Sequence, residues 1–132
     1  MDLKIRETSY SQGNQKWLGS AHATDTADTI TLDLSLFTSG THYPNGYIPS
    51  GMSLGKVTAT GVYGPYSDAA GDGRTTLVGH LLTDVNVASD NTTGKALGAL
   101  LRHGQVIEAN LPTNHGVDAN GKVNVAGSII YV

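Results

Sequence analysis

The chain of 132 residues has no cysteine. Disulfides and thiolate metal sites are therefore excluded as sources of stability or chemistry. Charge is scarce as well, at 14% of residues, where soluble domains usually carry about a quarter. The eight basic residues, Lys4, Arg6, Lys16, Lys56, Arg74, Lys95, Arg102 and Lys122, are scattered, and the formal net charge is −3. Without a cationic stripe, binding to nucleic acid through its phosphates is not expected. Apolar runs long enough to span a bilayer are missing, as is an n-region followed by an h-region, so no membrane partner is expected and the chain should be soluble. Tryptophan occurs once, at Trp17, and phenylalanine once, at Phe37.

What remains is rich in small and uncharged polar residues, with 17 glycines. That mixture suits strands and turns better than helices, whose exposed faces normally carry Glu and Lys. The length fits one domain. Residues 1–28 show no sustained period, and a few large side chains (Leu3, Ile5, Tyr10, Trp17, Leu18) stand in a polar background. Such a segment cannot bury enough apolar surface to offset its ordering entropy, which predicts an N-terminal arm ahead of a folded body at 29–132.

In the body, Ile30, Leu32, Leu34 and Leu36 alternate with polar residues and predict a strand with one apolar face. Pro44-Asn45-Gly46 marks a turn. Met52 to Tyr63 reads as a second strand whose phase slips at Gly55, the signature of a bulge. A Gly-rich loop over 64–74 precedes a buried-strand run, Leu77-Val78-Gly79-His80-Leu81-Leu82. Lys95 to His103 fits either helix or strand spacing, and Gly94, Gly98 and Gly104 favour strand or irregular turn. Asn120-Gly121 is a hairpin signal, followed by a strand with Val123, Val125, Ile129 and Tyr131 on one face. The expected fold class is mainly β.

Catalytic and metal chemistry find no support in the spacing. His22, His42, His80, His103 and His115 form no i, i+4 pair and no HExxH, so no metal site is expected. His80, inside an apolar run, predicts a half-buried ring on the solvent side of a strand, with a charge change near neutrality. Asp68 and Asp72 lack the dense spacing of a calcium loop and read as turn formers, like Asp118 beside Asn120-Gly121. Neither GxSxG nor a phosphate loop occurs. The expectation is a non-enzyme without cofactor. Trp17, Leu18 and Tyr10 are different, because large aromatic and apolar side chains in a polar segment suit anchors on a partner. Trp17 has two placements, a partner's pocket or its own domain, and the polarity around it favours the partner. Tyr43, Tyr47, Tyr63 and Tyr66 near Gly/Pro turns allow an alternative function, a surface-displayed carbohydrate-binding or adhesion module. Their spacing beside apolar strands points to packing instead.

The stretch Tyr47-Ile48-Pro49-Ser50-Gly51-Met52-Ser53-Leu54-Gly55-Lys56-Val57-Thr58 continues through Tyr63-Gly64-Pro65-Tyr66, Asp68-Ala69-Ala70 and Gly71-Asp72-Gly73-Arg74 into Leu77-Val78-Gly79-His80-Leu81-Leu82. This order resembles the head decoration proteins of tailed phages, the lambda-like capsid-stabilising family. In these, a proline-containing segment leads through a GK[VI]T-like strand and a DGR-type loop into a VGxL strand. Ser9 to Gln15 with Trp17-Leu18 is similar to the arms of actinobacterial-phage versions. The resemblance covers nearly the whole chain, although Asn91 to Arg102 has no clear counterpart. It implies a β-tulip domain that forms a homotrimer at three-fold and quasi-three-fold sites of an expanded shell. It also implies an N-terminal arm that orders against the major capsid protein. Arg6, Tyr10, Trp17 and Leu18 are the candidate partner-binding residues. The implied location is the outer surface of the virion capsid, after synthesis in the host cytoplasm.

Overall fold

The computed structural model describes residues 15–19, 27–87, 92–112, 114–123, 125–126 and 128–132. Strands dominate these residues, and the fold is mainly β. Strand β1, Asp28–Asp33, buries Ile30 and Leu32 as the period-two pattern predicts. The alternation stops short of Leu36. Asp33 accepts hydrogen bonds from the Ser35 backbone N–H at 3.1 Å and the Ser35 hydroxyl at 2.6 Å. That bonding caps a 3-10 turn over Leu34–Leu36, because a short carboxylate satisfies N–H groups the turn leaves orphaned. Leu34 and Phe37 still reach the core. A single helical turn, α1 (Ser39–His42), follows.

Residues 52–63 are not one bulged strand. They contain β3, Ser53–Lys56, and the start of β4, Tyr63–Pro65, paired antiparallel. The turn between them is closed by Val57 N–H to Val62 O and Gly61 N–H to Val57 O, each 2.8 Å, with Gly61 at φ +75°. A residue without Cβ adopts that φ at no steric cost. The phase slip at Gly55 has another cause. Met52 through Gly55 are all buried, and a Cβ on Gly55 would stand 2.7 Å from the Arg74 Cα. A strand buried on both faces carries no alternation for the sequence to display.

Short strands β2 (Tyr47–Ile48) and β6 (Val85–Asn86) pair antiparallel. With β5 (Gly79–Leu81) and β7 (Lys95–Leu101) placed, the strands β1-β4-β3-β5-β7 close into a barrel. The longest seam joins β1 to β7 antiparallel, from Asp28↔Leu100 to Asp33↔Lys95. Surface ion pairs, Arg102–Asp28 at 2.8 Å and Lys95–Asp33 at 3.4 Å, lie at its two ends. The closing contact, β1 with β4, is parallel and rests on Leu32↔Tyr63.

Outside the barrel, β8 (His103–Val106) and β9 (Ser128–Tyr131) pair parallel. Parallel neighbours need a crossover, not a tight hairpin. Accordingly Asn120-Gly121 is not a hairpin turn but lies inside a short helix, α2 (Ala119–Val123). The Asp118 carboxylate accepts from the Gly121 N–H at 2.7 Å at the start of that helix. Of the residues expected on one strand face, Ile129 and Tyr131 do share one, packed on the body.

Two apolar clusters result. The first fills the barrel with residues such as Ile30, Leu32, Leu54, Leu81 and Leu100; the second contains Trp17, Leu82, Leu101 and Val106. Strands β5 and β7 form the wall between them: Leu81 and Leu100 belong to the first, Leu101 and Leu82, the residue after β5, to the second. Residues 15–19, assigned from sequence to the arm, belong to the body. Leu18 bridges antiparallel to Val106, Gly19 N–H reaches Gln105 O at 2.8 Å, and Ile107 N–H reaches Trp17 O at 2.6 Å. Ala27 packs against the second cluster and leads into β1 at Asp28. The rest of the predicted arm, 1–14 and 20–26, lies outside the described residues, as do residues 88–91 before β7. Among the described residues no helix is long and apolar enough to cross a membrane.

Candidate functional site

Trp17 was expected to lean toward a partner, but its side chain is fully buried in its own domain, at 0% exposure. The polar composition of 15–19 misled because docking needs only one large side chain. A buried Trp removes roughly 150–250 Å² from water, worth about 4–6 kcal/mol at about 25 cal/mol per Å². The indole N–H donates to the Ser50 hydroxyl at 3.1 Å, and that hydroxyl donates to Leu82 O at 2.6 Å. Gln15 adds a bond from its amide to the same Leu82 carbonyl at 2.7 Å. Ser50 is held in turn by its own N–H, which donates to Asp84 at 2.7 Å.

His80 lies beneath the indole. Its ring centroid is 5.6 Å from that of Trp17 and 5.7 Å from that of Tyr131. The expected half-buried, solvent-side ring is instead at 0% exposure, because the outer side of β5 is covered by the second cluster. Nδ1 lies 2.8 Å from Gly51 O, and Nε2 lies 2.7 Å from the Tyr131 hydroxyl. A carbonyl only accepts, so Nδ1 carries the proton and Nε2 accepts from Tyr131. Burial pushes the imidazolium down to about 4, outweighing the Gly51 carbonyl that favours the cation, with His115 pushing the same way as burial. Burial also raises the Tyr131 hydroxyl well above the usual phenol range. No buried side-chain nitrogen or oxygen among the described residues lacks a partner.

Leu18 differs from Trp17. It is half-buried, packs on the edge of the second cluster and keeps part of its side chain at the surface. Arg6 and Tyr10, the other two candidate partner-binding residues, lie outside the described residues. Exposed large apolar side chains occur at Leu97 (71%), Ile130 (67%) and Val132 (58%). Of the two spacings open over Lys95 to His103, strand alternation puts Leu97, Ala99 and Leu101 on one face. The three do share parity, yet only the C-terminal half of β7 is covered by the second cluster, so Leu97 faces solvent.

Several other polar residues bond within the fold. Asp72 pairs with Arg74 at 3.0 Å, and Arg74 also donates to Pro65 O at 3.3 Å. Tyr66 is buried and donates to Asp118 at 2.8 Å, and burial together with that carboxylate pushes its phenol up to about 12. His42 accepts from the Thr38 N–H at 2.8 Å and His115 from the Val117 N–H at 2.9 Å; burial lowers both. No group of three or more metal-ligating side chains is found among the described residues. Of the four tyrosines considered as a sugar platform, Tyr43 and Tyr66 are buried. Tyr47 lines an open groove of about 250 Å³ with His42, Asn45, Asn114, Thr41 and three prolines.

No protein-family model matches the chain, and no curated protein matches it.

Proposed function

We propose that the protein is a structural, non-enzymatic decoration protein of a tailed-phage head. It binds the exterior of the expanded shell as a homotrimer at three-fold and quasi-three-fold sites. The observation that carries this proposal is the Tyr47–Leu82 segment, whose order of motifs resembles the decoration family. Those residues are also the ones that build β2 to β5, so the likeness lies in fold-determining chain and not in a loose tail. Exposed Leu97, Ile130 and Val132 supply apolar surface of the kind that self-association or a shell underface covers.

The mechanism is linkage. A ligand that binds only the expanded lattice stabilises it by mass action, so the shell tolerates more pressure from packed DNA. Trimerisation strengthens this by engaging three copies at high effective concentration. Co-sedimentation with expanded and with unexpanded empty heads tests the proposal. Saturable pelleting with expanded heads alone is the predicted result; equal pelleting with both, or with neither, contradicts it.

The groove beside Tyr47 favours one second reading, a carbohydrate-binding surface, since a half-exposed ring and the amides of Asn45 and Asn114 suit a sugar. Glycan binding that is lost in Tyr47→Ala would support that reading over the first.

A further inference from the structure

Residues 15–19 lie outside the barrel's strand ladders and meet the body through the isolated Leu18–Val106 bridge. Trp17 supplies the buried area, while Gly19 N–H to Gln105 O, Ile107 N–H to Trp17 O, and the side chains of Gln15 and Asn110 supply hydrogen bonds. The barrel behind His80 is a closed ring of five paired strands. Local opening follows the weakest set of contacts. Water therefore reaches His80 most cheaply when Trp17 lifts away, and neither the barrel nor β9 has to open.

Neutral His80 satisfies this packing fully: Nδ1–H donates to Gly51, and Nε2 accepts from Tyr131. A second proton on Nε2 places an N–H against the Tyr131 hydroxyl, which then has to turn and find another acceptor. It also leaves a cation in a site closed to water, a burial penalty that the Trp17 ring at 5.6 Å offsets only in part. The titratable and charged groups around the cluster do not offset this. His115, from the loop before α2, disfavours the cation. Tyr131, from β9, stays neutral. Glu108 already pairs with Lys122 at 2.6 Å, and Asp84 is bonded to Ser50 N–H.

We propose that Trp17, His80 and Tyr131 form an acid-release latch, in which protonation of His80 undocks residues 15–19 while the barrel stays folded. The proposal is independent of the capsid assignment. A histidine whose proton is held less tightly docked than undocked binds more protons in the undocked form. Acid therefore favours undocking, in the window below the ordinary value of 6.5 and down to about 4. Over that window the undocked-to-docked ratio rises by up to about 300-fold.

Trp17 is the only tryptophan, so its fluorescence reports the latch directly. In the full chain, titration from pH 7 to pH 4 should shift Trp17 emission to longer wavelength and admit an added quencher. Far-UV circular dichroism should hold constant over the same range. His80→Gln, which keeps a neutral hydrogen-bonding side chain, should abolish the shift. In the wild type, NMR of the His80 ring should show protonation in step with the emission change, a readout that does not depend on any variant folding. Emission that is flat with pH, that moves together with loss of circular dichroism, or that shifts without His80 protonation overturns the proposal.

Discussion

Trp17 joins two parts of the chain that are far apart in sequence, since its indole covers β5 and bonds Ser50. Trp17→Ala leaves a void in the second cluster and removes the N–H that donates to the Ser50 hydroxyl. The expected cost is about 3–5 kcal/mol, measured by urea unfolding; a change below about 0.5 kcal/mol would place the indole outside the core. How much of this site the sequence reveals differs from residue to residue. Trp17 stood out by type and rarity, but its polar neighbours argued against burial. His80 was visible as an interruption of Leu77–Leu82, yet nothing in the run says that its face is covered. The cover comes from Trp17 and Tyr131, 63 residues before it and 51 after it, and pairings at such separation leave no local pattern. The Ser50 link was hidden for the same reason.

At the scale of elements, local alternation located β1, and the glycine spacing correctly favoured a strand for β7. Failures came where a strand is buried on both faces, as in β3, or where a turn signal was borrowed by another motif. Asn120-Gly121 sits in α2 because Asp118 caps it and because β8 and β9 run parallel. Gly55 tests the corrected reading of β3. A Cβ there would meet the Arg74 Cα at 2.7 Å and the Arg74 carbonyl oxygen at 2.9 Å, both backbone and unable to rotate away. Gly55→Ala should therefore destabilise by about 1–3 kcal/mol. Gly40→Ala in α1 meets nothing within 4 Å and should be neutral or slightly stabilising. Thermal unfolding of both variants checks the pair; equal melting temperatures would return Gly55 to a bulge without close contacts.

For the whole molecule, two clusters divided by the β5–β7 wall make a body that includes residues 15–19. A truncation meant to leave this body whole therefore falls before Gln15; a cut after residue 28 removes Trp17 and weakens the fold itself. The capsid assignment rests on the Tyr47–Leu82 segment and on apolar surface at Leu97, Ile130 and Val132. Its most direct test is electron cryomicroscopy of the protein mixed with expanded empty heads of the cognate phage. The account predicts added trimeric density on the outside of the shell at every three-fold and quasi-three-fold position. A shell identical to the undecorated one at saturating protein, or density at other positions only, would contradict it.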